Sequence, residues 1–401
     1  MSNYLILARF VKTCLSDCGE TLQRKGKIMT RGVNYEALDD FKRCALKAAR
    51  ETLSNTERFG ITVIRDTVGD SATLTVSKAP IHRVADVTEG LGTKNLVADA
   101  INRLTISDEV HKTIFGSCYR GIARDTVAMI VNDLVTLGAQ PIGVKMHLAI
   151  GSARWFENES RWRDLISGWQ EACNEIGASW TGGETSESRG IINADHALLS
   201  GSAWGIIPGV VSGISRHIEN GDAILLLASS GVHANGLTDA REIARRLTHS
   251  YKTEINDDGL TYGDALLIPT TLYVKTILQM IREEIPIHYA ANITGHGWRK
   301  LMRHREPFVY VIETLPPVSK IFTFMQKHGE MSDARAYETW NMGAGFALYL
   351  PERFVAQAKH IAESNGIRAY YAGHVEKRDE VKQVFIKPKD LILGFYSHTY
   401  A

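Results

Sequence analysis

Arg120-Gly-Ile-Ala-Arg-Asp-Thr-Val-Ala-Met-Ile-Val-Asn-Asp-Leu-Val-Thr-Leu137 is the stretch on which the reading turns. Its apolar residues recur at helical spacing, and Gly138 and Pro141 stop it, so a helix is expected over 120–137. Asp125, Asn132 and Asp133 are set into this apolar run. Seven residues are close to two turns, so Asp125 and Asn132 share a face and Asp133 lies beside it. Charges buried on such a helix need partners, because unpaired they are expensive. Oxygen ligands of this kind suit Mg²⁺, which takes one or two carboxylates together with nucleotide phosphates. The alternative is a capped or solvated helix edge; the apolar surroundings favour the metal.

Working outward, four polar, glycine-flanked segments offer further chemistry. Glu89-Gly-Leu-Gly-Thr-Lys94 follows a strand-like run. Two glycines let backbone approach an anion and a lysine can bind phosphate, though a turn with a surface lysine reads the same way. Glu89 offers one more metal ligand, and Asp86 lies just upstream. Gly182-Gly-Glu-Thr185 reads as a strand-to-loop turn carrying an acid, as many β-turns do. Ser229-Ser-Gly-Val-His-Ala-Asn-Gly236 gives hydroxyls, an imidazole and an amide just before a helix N-terminus, where anions are favoured. An N-capped loop is the plain alternative. Asn292-Ile-Thr-Gly-His-Gly297 repeats the theme, with backbone N–H groups for phosphate; a lone histidine there is more often structural.

The remaining elements read as a mixture. Helices are expected at 35–54, 161–176, 262–284 (kinked or split at Pro269), 318–328 and 351–364. Strands are expected at 61–66, 72–77, 81–88, 144–150, 178–181, 195–212, 223–228, 287–293, 307–312, 344–350 and 367–375. The pattern restarts near 213. That gives an extension over 1–30, a first domain over 31–212 and a second over 213–401. Strict strand–helix alternation is absent, so the fold class is α+β.

Composition limits the function. The formal net charge is +1, from 46 basic and 45 acidic residues, which leaves no electrostatic footprint for nucleic acid. With 44% apolar and 23% charged residues the chain can build a core. No apolar run reaches the roughly 18 residues that would cross a membrane. Cysteines at 14, 18, 44, 118 and 173 are odd in number and scattered, as in reduced cytoplasmic proteins. Cys14 and Cys18 alone do not make a zinc site. No serine elbow or paired cysteine–histidine pattern is present.

Taken in order, Thr88–Lys94, Asp125–Leu134 with Gly138–Pro141, Gly182–Thr185, Ser229–Gly236, Pro269-Thr-Thr-Leu-Tyr-Val-Lys275, Ile293–Gly297 and Asn341-Met-Gly-Ala-Gly345 form a series. This series resembles the aminoimidazole ribonucleotide synthetase family, the phosphoribosylformylglycinamidine cyclo-ligases, from about Gly32 to about Val375. The resemblance implies a two-domain fold of that family: an N-terminal domain that forms a β-barrel across two subunits of a homodimer, and a C-terminal α/β sandwich. It implies an ATP- and Mg²⁺-dependent ligase of purine biosynthesis. ATP and a small ribonucleotide amidine lie between the glycine-rich loops. On this reading Glu89, Asp125, Asn132, Asp133 and Glu184 hold metal. Gly90, Gly92, Thr93, Lys94, Gly183, Ser230, Asn235 and Thr294 hold nucleotide or ribose phosphate. Lys94 neutralises phosphate, Asp133 serves the chemistry and His233 moves a proton, since imidazole titrates near neutrality. The alternatives are a small-molecule kinase or amide-activating enzyme of the same superfamily, and an inactive nucleotide-binding paralogue. The chain departs from the family at Glu89, where Asp is usual, and at His296, where a third glycine is usual.

Overall fold

The computed structural model describes residues 35–65, 75–78, 83–104, 118–207, 214–255 and 259–394. The expected extension over 1–30, the Cys14/Cys18 pair and the boundary near 212 lie outside them. Residues from Tyr35 onward form one compact unit.

The chain opens with helix α1 (Tyr35–Glu51) and a small antiparallel pair, β1 (Ile61–Val63) and β2 (Thr75–Ser77). A four-stranded sheet follows in the order β3-β6-β4-β5, from β3 (Val84–Gly90), β4 (Gln140–Ile150), β5 (Ser179–Glu187) and β6 (Ala197–Ile206). Only the β4–β5 pair is parallel. Helices α2 (Lys94–Leu104), α3 (Tyr119–Val135) and α4 (Glu159–Ile176) accompany it, α3 lying on β3, β4 and β6 and packing against α4. The decisive helix is thus found, and Ile122, Val127, Ile130, Val131 and Leu134 are all buried. Helix α4 starts where the Asn158 side chain accepts from Arg161 N at 3.1 Å and ends at Gly177, φ 69°. Gly168 is required by the α3–α4 crossing: a Cβ there would sit 2.3 Å from the Arg120 carbonyl oxygen.

The second half is built on a seven-stranded sheet. Its strands are β7 (Ala223–Ala228), β8 (Tyr289–Asn292), β9 (Val309–Ile312), β10 (Ala344–Leu350), β11 (Ala369–Glu376), β12 (Gln383–Ile386) and β13 (Leu391–Gly394), in the order β13-β12-β9-β11-β7-β10-β8. All pairs are antiparallel except β9–β12. Helices α5 (Leu237–Arg246), α6 (Tyr262–Leu267), α7 (Val274–Arg282), α8 (Lys320–His328), α9 (Asp333–Thr339) and α10 (Val355–Ser364) complete it. Residues of α5, α6 and α8 share a core cluster with Ile224, Leu226, Ala347 and Tyr349, whereas α10 contacts β7, β11 and α7. Strand β10 is buried throughout, so its sequence is continuously apolar instead of alternating. The architecture is the expected mixed one, with a sandwich in the second half.

Two expectations need correction. Gly182–Thr185 is not a turn: it lies inside β5 and pairs with β4, with a register shift opposite Val144 and Met146. The single helix over 262–284 is two, α6 and α7, separated by the extended segment Ile268-Pro-Thr-Thr-Leu-Tyr273. Proline lacks the N–H a helix interior needs and disfavours the helical region at the residue before it.

Candidate active site

The polar residues of α3 face two directions. Asp125 and Asn132 point at the 268–273 segment. Asp125 Oδ1 accepts from Lys94 Nζ at 2.9 Å and from the Thr270 N–H at 2.8 Å, and the Thr270 hydroxyl also donates to it. Lys94 Nζ donates further to the Ile268 carbonyl at 2.8 Å. Asn132 uses both ends of its amide: Nδ2 donates to Thr271 O at 2.8 Å and Oδ1 accepts from Tyr273 N at 3.0 Å. Several backbone groups that the broken helix leaves without an internal partner are thereby met by side chains of α3 or by Lys94. The Asn132 amide is fully committed, so a metal-ligand role for it gives way to fastening this strap. Asp125 is tied to the same strap through Oδ1.

Lys94 is completely buried, as is Asp125. It is neither the surface lysine of a turn nor a lysine aimed at an open phosphate site. Burial lowers the Lys94 pKa and raises that of Asp125, each against the attraction of the other. Desolvation thus outweighs pairing on both partners, the usual balance for a buried ion pair.

Asp133 faces the other way, toward Glu89 on β3. The two carboxyl groups are close enough for the charge of one to act on the other, and Asn292 Nδ2 donates to Asp133 Oδ1 at 2.7 Å. Burial and then the Asp133 charge raise the Glu89 pKa; the Lys300 ammonium opposes them. Two acidic side chains held together with one nearby ammonium form a donor set that a divalent cation would relieve.

Three loops meet beside this pair. A Cβ on Gly92 would lie 3.8 Å from the Ala234 carbonyl, so the 91–93 turn abuts the 229–236 loop. Gly92 has φ 74°, and Thr93 leads directly into α2. A Cβ on Gly295 would lie 3.6 Å from Asn235 Oδ1, which brings the 294–297 loop to the same place, while Asn235 Nδ2 reaches Met129 Sδ of α3 at 3.9 Å. Ser230 Oγ donates to Pro269 O at 2.6 Å. Thr294 is largely buried. A Cβ on Gly90, at the end of β3, would meet only the Leu199 carbonyl and the Ser200 Cβ, each at 3.9 Å.

His233 departs from its expected role. It is buried, holds φ 60°, and its Nε2 accepts from the Ser230 N–H at 3.2 Å. Burial and the Lys94 charge push its pKa down to about 3. At neutral pH it is an uncharged acceptor that shapes the loop, not a proton carrier. Glu184 and Gly183 also lie elsewhere. Glu184 stands in register with His147, Ser200 and Gly90 across β5, β4, β6 and β3. Three strand spacings of ~4.8 Å put it ~14 Å from β3, so it cannot share an ion with Glu89 and Asp133. Gly183 and Glu184 instead line a separate groove of about 280 Å³ with Phe41 and Trp180.

Where the C-terminal end of α3 meets β8, a cleft of about 260 Å³ contains Asp133 together with Asp86, Arg216, Tyr289, Asn292 and Arg303. Sequence reading missed Lys300, Arg216 and Arg303. The run Arg299-Lys-Leu-Met-Arg-His-Arg305, directly behind the 294–297 loop, was the available signal.

Two sheet-bearing halves joined through loops around an acidic pair are the architecture of one enzyme family, and the sequence matches it. The chain matches AIR synthase related protein, N-terminal domain, over residues 97–207 and AIR synthase related protein, C-terminal domain, over 219–385. A phosphoribosylformylglycinamidine cyclo-ligase of Rippkaea orientalis is 35% identical over 300 residues, covering 73% of this chain and 82% of its own. Another, of Shouchella clausii, is 31% identical over 346 residues, covering 85% and 92%. The chain belongs to the phosphoribosylformylglycinamidine cyclo-ligase family. In fold it is similar to the hydrogenase maturation protein HypE in complex with ATP, with a TM-score of 0.57 at 17% identity, covering 83% of this chain and 90% of that one. Among the described residues no helix is long and apolar enough to cross a membrane.

Proposed function

We propose that the protein is an ATP-dependent cyclo-ligase that converts formylglycinamidine ribonucleotide into aminoimidazole ribonucleotide, with release of ADP and phosphate. Family membership and the proximity of the Glu89 and Asp133 carboxylates support this reading; the carboxylate pair is the observation that carries it. Glu89 and Asp133 would hold Mg²⁺, which when bound supplies charge neutralisation on the triphosphate. Glu89, which stands where Asp is usual in the family it resembles, keeps a carboxylate within electrostatic range of Asp133, so the chain's departure here preserves the donor set.

The γ-phosphoryl group passes to the formyl oxygen of the substrate. An amidine nitrogen then attacks the formyl carbon, the C–O bond to phosphate breaks, and a proton leaves as the ring becomes aromatic. Phosphoryl transfer needs positioning and charge compensation more than covalent help. The 91–93 turn at the start of α2 and the loops with Ser230, Asn235 and Thr294 would position the anionic groups through N–H and hydroxyl donors. Lys300 adds a positive charge beside the carboxylates. Lys94, Asp125 and Asn132 act one step back, holding the 268–273 strap to which Ser230 is bonded. A homodimer and a cytoplasmic location belong to the same reading.

Incubation with ATP, Mg²⁺ and formylglycinamidine ribonucleotide, followed by mass spectrometry, tests it. The expected product is the aminoimidazole ribonucleotide, and Asp133→Ala abolishes its formation while the protein stays folded. A stable phosphate ester as the only product would instead mark a kinase.

A further inference from the structure

The 260 Å³ cleft between α3 and β8 has two chemically opposite walls. The first half of the chain contributes carboxylates, Asp86 from β3 and Asp133 from α3. The second half contributes guanidinium groups, Arg216 and Arg303, with Tyr289 and Asn292 of β8 between the walls. Both guanidinium groups line the cleft with Tyr289, and both charges act on its phenol. Arg216 is held in place. Its φ is 62°, a left-handed conformation that a non-glycine residue adopts at a cost, and its carbonyl is bonded to His304 Nε2 at 3.2 Å. Backbone strain of this kind is concentrated at ligand sites. The Asp133 carboxylate of the opposite wall is held by Asn292, whose Nδ2 donates to it.

Such a cleft selects its ligand by charge arrangement. With Asp133 committed to Mg²⁺, the cleft still sets one carboxylate, Asp86, against two guanidinium groups. A zwitterion, with a phosphate at one end and a cationic nitrogen group at the other, matches both. Arginine's planar fork pairs with phosphate through two parallel hydrogen bonds. A carboxylate pairs with an amidinium by the same geometry with the roles exchanged.

We propose that this cleft seats the ribonucleotide substrate, with its 5′-phosphate on Arg216 and Arg303 and its amidinium toward Asp86. The assignment of the substrate rests on the cyclo-ligase reading; the phosphate-binding arginine pair does not. The orientation would bring the reacting end of the substrate to the Glu89–Asp133 pair and leave its phosphate at the far wall.

The test is equilibrium binding of ribose 5-phosphate and of ribose to the full chain by calorimetry, with Arg216→Gln, Arg303→Gln, Arg303→Lys and a control, Arg120→Gln. Arg120 pairs with Glu171 on the exposed surface of α3 and α4. Wild type and the control should bind ribose 5-phosphate and not ribose. Each glutamine variant should bind it at least tenfold more weakly with an unchanged melting temperature, and Arg303→Lys should keep part of the affinity. Wild-type binding that is absent, or equal in the glutamine variants, overturns the proposal. Ring-closure assays on the same proteins separate the two readings. Turnover with an unmoved KM for the ribonucleotide in both glutamine variants removes the cleft assignment alone. Loss of ribose 5-phosphate binding in the variants of a protein that makes no imidazole supports the arginine site and removes the cyclo-ligase assignment alone.

Discussion

Asp125→Ala distinguishes a carboxylate that fastens the strap from one that ligates metal. The substitution removes the acceptor shared by Lys94 and both Thr270 donors, and leaves a fully buried ammonium with only the Ile268 carbonyl. Removing one member of a buried ion pair costs about 3–5 kcal/mol, mostly because the other charge stays desolvated. Asp125→Asn keeps an oxygen for Thr270 and should cost less, about 1–2 kcal/mol, the scale of weakened hydrogen bonds. Adding Lys94→Met to Asp125→Asn removes the stranded charge and should recover part of the loss. The pair should therefore be coupled by about 2 kcal/mol in a double-mutant cycle. Urea unfolding followed by fluorescence reads this directly, because Trp155, Trp169, Trp298 and Trp340 are buried. A loss below about 1 kcal/mol for Asp125→Ala would refute the fastening argument, since a desolvated pair cannot be that cheap to break. So would stabilisation by Mg²⁺ that Asp125→Ala abolishes and Asp133→Ala retains.

Other expectations follow from particular contacts. Gly168→Ala forces a methyl into the Arg120 backbone and should destabilise by about 1–3 kcal/mol in the same assay, as overpacking does. His296 holds φ 71°, in the left-handed region that favours glycine, so His296→Gly should raise stability by about 1 kcal/mol, read as a higher melting temperature. The His233 pKa falls from 6.5 to about 3 on folding, so the unfolded chain binds the proton more readily. Stability present above pH 6.5 is then lost as pH falls toward about 3, by up to about 1.4 kcal/mol per unit. His233→Asn, which tolerates the left-handed backbone, should flatten that slope; an unchanged pH profile would show that the imidazole is not desolvated.

The helix at 119–135 was legible because burial and period coincide there: almost every residue that is apolar in sequence faces a partner in space. The second-half strands were legible for a related reason, since a strand covered on both faces is a bare apolar run. Glu89 and Asp133 were legible as acids in apolar company. Their separation from Asp125 and Asn132 was not, because helical spacing gives a face and not what lies opposite it. The opposite element for Asp125 and Asn132 is a strap some 140 residues downstream, as the Asp125–Thr270 and Asn132–Tyr273 bonds show. Gly182–Thr185 was misread because paired glycines look like a turn until a neighbouring strand is known to pair with them. His233 was given a titration near neutrality because burial and a nearby lysine leave no mark in local sequence. Helices α2 and α9 are short, and their stability comes from what they dock on.

The order of strands in the second sheet has a consequence for the protein's birth on the ribosome. Strand β7 is central, yet its two neighbours are β10 and β11. From Ala228 to Leu350 is 122 residues (350 − 228), all of which must be polymerised before the first neighbour is complete. At about 5–20 residues per second that is roughly 6–24 s. Throughout it, the nascent segment Ala223-Ile-Leu-Leu-Leu-Ala228 emerges without the strands that will flank it. Chaperone capture during translation should therefore concentrate on this six-residue segment and cease once β10 leaves the exit tunnel.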